Sequence, residues 1–360
     1  MGSINPEPQT PQPPYPLHES VKDKLDPEYV EFYNKYIINN QQVHYQPVAA
    51  SRTGGTLIPG GGPAQPVGNT EDFAIKRIET EGPDVMVRCF TPVGEIPEGG
   101  WPVMIYYHGG GWVLGNIDTE NVVCSHLCKR ANCVITGPSV FLNAISTLKY
   151  SKTNNTVPNR LAPEDPFPAA VHDSWEAVLW ATSPIGQNTL KISSSKIAIG
   201  GSSAGGNLAA IMCHKAARLP NPIVFKTQLL IVPVTDNTAS PTTNATYLSN
   251  ENTAALPAVK MLWYRRHYLP NESDWADPEA SPLFYKDHWD VQPKALVLVG
   301  ELDVLRQEGE DYASKLQDAG VKVDLKVMKG MPHPFLAMDG SLQAGRDAIT
   351  YMCEALKSVF

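Results

Sequence analysis

No run of Lys or Arg in the 360 residues exceeds a pair, and the formal net charge is −8. Nucleic-acid binding relies on concentrated positive surface, so that class of function is set aside. Long hydrophobic runs are also missing: no stretch approaches the roughly 20 apolar residues that a membrane-spanning helix needs. The start, Met1-Gly2-Ser3-Ile4-Asn5-Pro6, has no apolar core and does not read as a secretory signal. Gly2 suits myristoylation, but Pro6 stands where that signal takes Ser or Thr. The expectation is a soluble, cytoplasmic protein without stable membrane insertion. Cysteine is sparse and scattered, at Cys89, Cys124, Cys128, Cys133, Cys213 and Cys353. Without an export signal these read as reduced thiols. Cys124, His126 and Cys128 match no zinc spacing, and no second ligand pair follows, so no metal is expected. The sequons at Asn154, Asn244 and Asn271 matter only in a secreted chain.

What is present is a hydrophobic content of 42%, enough for a large core. At roughly 150 residues per domain the length suggests two domains, although α/β folds of this size often form one. Residues 1–20, rich in Pro, Gln and Glu, read as a flexible tail. Leu25 to Ile38 has helical spacing with aromatic anchors, and Gly54 to Gly68 is a loop. From there short apolar runs alternate with helical patterns. Strands are expected at 85–90, 102–107, 133–135, 196–200, 227–234, 295–299 and 323–328. Helices are expected at 122–131, 169–181, 207–218, 306–319 and 344–357. This alternation predicts an α/β fold, a mostly parallel sheet with helices on both faces. The stretch 235–282 breaks the alternation with Tyr247, Leu256, Met261, Trp263, Tyr264 and Tyr268. It reads either as part of a lid over an apolar pocket or as side packing.

Four segments carry chemistry. Gly201-Ser202-Ser203-Ala204-Gly205 follows a buried-strand pattern and opens a helix, the context in which a G-x-S-x-G segment presents a nucleophile. The glycines let strand and helix approach, and the helix amides beside Ser203 favour developing negative charge. A phosphate loop is the alternative, but the P-loop Lys is lacking. His108-Gly109-Gly110-Gly111-Trp112 follows a strand. Consecutive glycines let backbone N–H groups converge on one point, as an oxyanion requires. The expected donors are the amides of Gly110, Gly111 and Ala204, with Gly109 sharing. His108 is expected to brace the loop. In Gly300-Glu301-Leu302-Asp303 both carboxylates follow a buried strand, and either could orient a histidine or cap the next helix. His333, between Met331-Pro332 and Pro334-Phe335, lies on a loop after a strand. It completes the chain order Ser, Asp, His.

Together these segments resemble the hormone-sensitive-lipase-like family of α/β-hydrolases, in the style of a fungal esterase or lipase. Arg160-Leu161-Ala162-Pro163-Glu164 and Asp277-Pro278-Glu279-Ala280-Ser281-Pro282-Leu283 add to the match, which covers the chain from about residue 75. The resemblance implies an α/β-hydrolase fold with Ser203 as nucleophile, Asp303 as orienter and His333 as base. It implies a helical cap from about 21–60 and 235–282 on a single domain spanning 21–360. It also implies hydrolysis of short- to medium-chain acyl esters through an acyl-enzyme, with no metal or organic cofactor. Ser202 stands where the family often has Asp, and Pro334 where it often has Gly. In the family a Tyr-Arg-Leu-Ala-Pro-Glu segment follows the strand at 133–135 almost directly. Here Asn159 replaces the Tyr, and an atypical insertion without periodicity occupies 137–159. It reads as translated non-coding sequence such as a retained short intron, which transcript sequence and intact mass test. The alternatives are an amidase or deacetylase with the same triad, a dehydratase-like relative, and a non-catalytic small-ligand receptor. The last predicts loss of the catalytic His, and His333 is present. The expected partner is a small ester, with a homodimer left open.

Overall fold

The computed structural model describes residues 10–53, 59–139 and 160–360. Eight strands form one sheet: β1 (Asn69–Ile75), β2 (Val85–Thr91), β3 (Trp101–Tyr107), β4 (Val134–Ser139), β5 (Ile192–Ser202), β6 (Gln228–Ile231), β7 (Ala295–Gly300) and β8 (Val323–Met328). Their order is β1-β2-β4-β3-β5-β6-β7-β8. β1 and β2 pair antiparallel, as do β2 and β4, and the remaining pairs are parallel. Every residue of β3, β6 and β7 is buried. This is the continuous apolar pattern of strands covered on both faces.

The helices are α1 (Pro27–Tyr36), α2 (Val48–Thr53), α3 (Asn121–Ala131), α4 (Ala169–Thr182), α5 (Pro184–Leu190), α6 (Ala204–Ala217), α7 (Ala245–Ser249), α8 (Ala258–Tyr268), α9 (Arg306–Asp318) and α10 (Gln343–Lys357). Two apolar clusters flank the sheet. One holds α4, α6 and α9, and the other α1, α3 and α10. α1 starts where Asp26 accepts a hydrogen bond from the Glu28 amide (2.8 Å) and Pro27 occupies the first turn.

The sequence reading and the structure differ in instructive places. β1 is an unexpected strand, because Asn69-Thr70-Glu71-Asp72 is an exposed polar edge without an apolar pattern. β6 ends at Ile231, short of the expected 234: Val232 takes a positive φ of 43°, and Pro233 has no amide for a ladder. α5 was not expected either. Ser183 caps it by accepting from the Gly186 amide at 3.1 Å. Residues 10–20, read as part of a flexible tail, run back along α1. The Tyr15 amide donates to the Ile38 carbonyl (2.8 Å), and the Tyr33 hydroxyl donates to the Tyr15 carbonyl (2.8 Å). Gly137, Pro138 and Ser139, assigned to the insertion, continue β4 against β2. The rest of that insertion lies outside the described residues. No helix among the described residues is long and apolar enough to cross a membrane. All six cysteines are buried free thiols.

Candidate active site

Ser203 sits in the turn between β5 and α6 with φ 55° and ψ −119°, a strained conformation for a residue with a side chain. The neighbouring glycines make that turn possible. A Cβ on Gly205 would lie 2.0 Å from the Tyr107 carbonyl oxygen, and one on Gly201 would lie 2.3 Å from it. The Ser203 amide donates to the Ile231 carbonyl (2.8 Å), which pins the turn to β6. Asn207, one turn on, donates to the carbonyls of Val234 and Ala280 (2.9 Å each), joining α6 to the Asp277–Leu283 segment.

The loop after β8 brings His333 to Ser203. His333 Nε2 lies 2.7 Å from Ser203 Oγ, and Nδ1 lies 2.7 Å from Asp303 Oδ2. Asp303 is fully buried, and its other oxygen accepts from the Leu305 amide at 3.0 Å. It therefore faces His333 and also fixes the start of α9. Glu301 goes elsewhere: its carboxylate accepts from Lys329 Nζ and the Gly330 amide, both at 2.9 Å. Those bonds hold its pKa below the ordinary range. Of the two carboxylates after β7, only Asp303 reaches the histidine.

The glycine loop after β3 lies against the same turn. Gly110 and Gly111 have φ of 132° and 62°, which side chains rarely adopt. A Cβ on Gly110 would strike the Leu114 carbonyl at 2.0 Å, and one on Gly111 would strike the Tyr264 ring at 2.3 Å. The amides of Gly110, Gly111 and Ala204 have no acceptor among the described residues. Gly109 differs from the expectation that it shares the oxyanion. Its amide already donates to Glu120 Oε2 at 3.3 Å. His108 Nδ1 lies 2.7 Å from the Gly109 carbonyl. Burial lowers the His108 pKa to about 4, so the imidazole that braces the loop is neutral near pH 7.

Glu120 was missed by the sequence reading. It precedes α3 in a left-handed conformation (φ 62°) and lines the pocket beside Ser203. Besides the Gly109 amide it accepts from Ser202 Oγ (2.6 Å) and the Tyr106 hydroxyl (2.9 Å). Desolvation raises its pKa, while these bonds favour the ionised form. Its one signal in the sequence is Ser202. An Asp there would press a second carboxylate on Glu120, whereas Ser supplies a donor.

The pocket encloses about 1040 Å³ of non-protein space, counting its mouth. Its floor is Ser203, His333 and the glycine loop. Its walls include Tyr29, Ile37 and Val43 from the N-terminal segment and Leu256, Met261 and Tyr264 from the 235–282 stretch. Within that stretch some side chains line the pocket and others pack against the fold. Tyr264 faces the pocket, while Tyr268 stacks on Trp112 at 4.2 Å and 6°. Among the described residues no group of His, Cys, Asp and Glu is arranged to hold a metal.

Comparison with known proteins agrees with this architecture. A family model described as alpha/beta hydrolase fold matches residues 104–139 and 155–337, so the break falls inside the atypical insertion. An AB hydrolase superfamily protein of Schizosaccharomyces pombe is 48% identical over 92% of this chain and 93% of its own length. An arylesterase of Saccharolobus solfataricus is 31% identical over 93% of this chain and 99% of its own. Among solved structures, one from a study of two Rhizomucor miehei fungal esterases superposes with a TM-score of 0.77. It is 27% identical and covers 93% of this chain and 97% of its own.

Proposed function

The chain belongs to the alpha/beta hydrolase fold family and is an ester hydrolase, and we propose that it works through an acyl-enzyme on Ser203. The observation that carries this reading is the continuous hydrogen-bonded series Ser203–His333–Asp303, at 2.7 Å for each link, opening into an apolar pocket. His333 Nε2 takes the Ser203 proton as Oγ attacks the ester carbonyl. Asp303 fixes the imidazole tautomer and stabilises the imidazolium that forms. The tetrahedral oxyanion is held by the amides of Gly110, Gly111 and Ala204, each such donor contributing about 3 kcal/mol in comparable sites. His333 then protonates the leaving alcohol, the carbon–oxygen ester bond breaks, and water repeats the cycle to release the acid. Gly109 supports the reaction indirectly, through the Glu120 bond that sets the loop.

The apolar walls suit short- to medium-chain acyl groups, with 21–60 and 235–282 acting as the cap. Hydrolysis of p-nitrophenyl esters from acetate to decanoate, by wild type and Ser203→Ala, tests the reading. The expected result is release that depends on Ser203 and falls at the longest chains. Absence of Ser203-dependent release at every length overturns it.

A further inference from the structure

Among the described residues, Lys260 is the one Lys or Arg that lines the pocket, and most other enclosed cations of the fold have carboxylate partners. Arg77 and Arg160 share Asp173, Arg52 forks onto Glu164 at 2.9 Å, and Arg88 pairs with Asp72 and Asp118. Arg265, which is 1% exposed, also lacks a carboxylate partner among the described residues, but it donates to the Ala239 carbonyl and does not line the pocket. Lys260 has no carboxylate within ion-pair distance among the described residues. Its ammonium makes one bond among the described residues, to the Ala255 carbonyl at 2.7 Å, which leaves two of its three donors available to a ligand or to water. It forms no bond to Ser203, Glu120 or His333, yet it lines the same pocket.

Three features make this position costly. The surrounding protein desolvates the ammonium enough to lower its pKa to about 8, with no opposing charge to offset the loss. Lys260 also lies in the first turn of α8, where the helix dipole disfavours a cation. Its charge also acts on His44, which burial and the Lys260 charge together hold neutral, at about 4. His44 therefore supplies no negative charge. A cation kept in an otherwise apolar wall, unpaired and facing the space where substrate binds, is matched when the substrate brings the missing anion.

We propose that Lys260 is a recognition site for a carboxylate carried by the substrate, so that the preferred substrates are small esters bearing an anionic group away from the scissile carbonyl. This rests on the acyl-enzyme reading of Ser203 and narrows it to a substrate class. The carboxylate can reach the pocket on the acyl side or on the alcohol side, and the test separates the two.

Acid release in a pH-stat is measured at pH 7 for two pairs of esters. Monoethyl adipate is set against ethyl hexanoate, and acetoxyhexanoate against hexyl acetate. In the wild type the charged member of one pair is expected to show the higher kcat/KM. In Lys260→Met the charged-to-neutral ratio of that pair is expected to fall at least about tenfold, and Lys260→Arg is expected to restore most of it. Lys260→Gln serves as a second uncharged variant, with thermal unfolding as the folding check. A wild-type ratio at or below one in both pairs overturns the proposal, as does a ratio that Lys260 substitution leaves unchanged. Both results leave the esterase reading standing. Failure of the wild type to hydrolyse any of the four in a Ser203-dependent way overturns that reading, and the proposal with it.

Discussion

The floor of the pocket and its roof are built by opposite rules. On the floor the polar groups are tied to one another: Ser203 to His333, His333 to Asp303, and both Ser202 and Gly109 to Glu120. The roof, from Ile37 and Val43 to Leu256, Met261 and Tyr264, is apolar and carries one cation whose charge is unmet. Bond-making needs dipoles already aimed before the reaction begins, because reorienting them during it costs free energy. Selecting a substrate needs shape and a charge that the substrate completes. On the proposed function, chemistry belongs to the sheet edge and choice to the apolar walls above it.

If that division holds, floor substitutions reduce kcat for every ester and roof substitutions redistribute preference among esters. The largest effect is expected at the triad. Ser203→Ala and His333→Ala should each lower kcat by about a millionfold, and Asp303→Asn by about ten-thousandfold, measured on p-nitrophenyl butyrate. Next comes Gly111→Ala, where floor and roof touch. The added methyl meets Tyr264 at 2.3 Å in a backbone region that side chains avoid. A loss of roughly a hundredfold in kcat should accompany a lower Tm, and an unchanged variant would mean that the loop is softer than described. Glu120→Ala removes the shared acceptor of Gly109, Ser202 and Tyr106. It should cost roughly ten- to a hundredfold in kcat with little change in KM, whereas a KM effect alone would move Glu120 to the selecting side. On the roof, Leu256→Trp should cut octanoate turnover relative to acetate by roughly tenfold, and an equal loss for both would break the division.

The smallest effect is on stability and ignores the division. His44 next to Val43, His108 before the glycine loop and His214 in the core have pKa values lowered by burial to about 4, 4 and 3. Each is neutral in the fold while the unfolded chain takes up protons below its ordinary value of 6.5. The stability they contribute is therefore complete above pH 6.5, declines as pH falls below it, and is gone once the folded forms protonate near pH 4 and below. Differential scanning calorimetry should show Tm falling by roughly a few degrees from pH 6.5 to 4.5, with a shallower slope in His214→Phe.

Much of the floor was legible because its constraints are local in sequence. The turn at Ser203 needs glycines two residues either side, and the loop at 109–111 needs three in a row. Both requirements leave a pattern. His333 was legible from its place after a strand, and the choice of Asp303 over Glu301 needed the resemblance until the fold placed both. Glu120 was hard to read because its partner Ser202 lies 82 residues away and Glu120 itself belongs to no motif. β1 was hidden by its polar face, since an exposed edge strand needs no alternating apolar pattern. Lys260 reads as one more surface lysine on a helix, and only the packing of α8 puts it in the pocket. Residues 140–159 of the insertion lie outside the described residues, so the strand pairing of Gly137 to Ser139 is what the fold adds there.

The central claim is that Ser203 becomes covalently substituted with His333 as its base. Diethyl p-nitrophenyl phosphate tests it directly, because attack by Ser203 Oγ expels p-nitrophenolate and leaves a phosphoryl group that water removes slowly. The account predicts one equivalent of p-nitrophenolate per chain and an intact mass raised by one diethylphosphoryl group. The adduct should map to Ser203, and labelling should be strongly slowed in His333→Ala. An adduct on another residue, or undiminished ester hydrolysis by a protein that stays unlabelled, would contradict it.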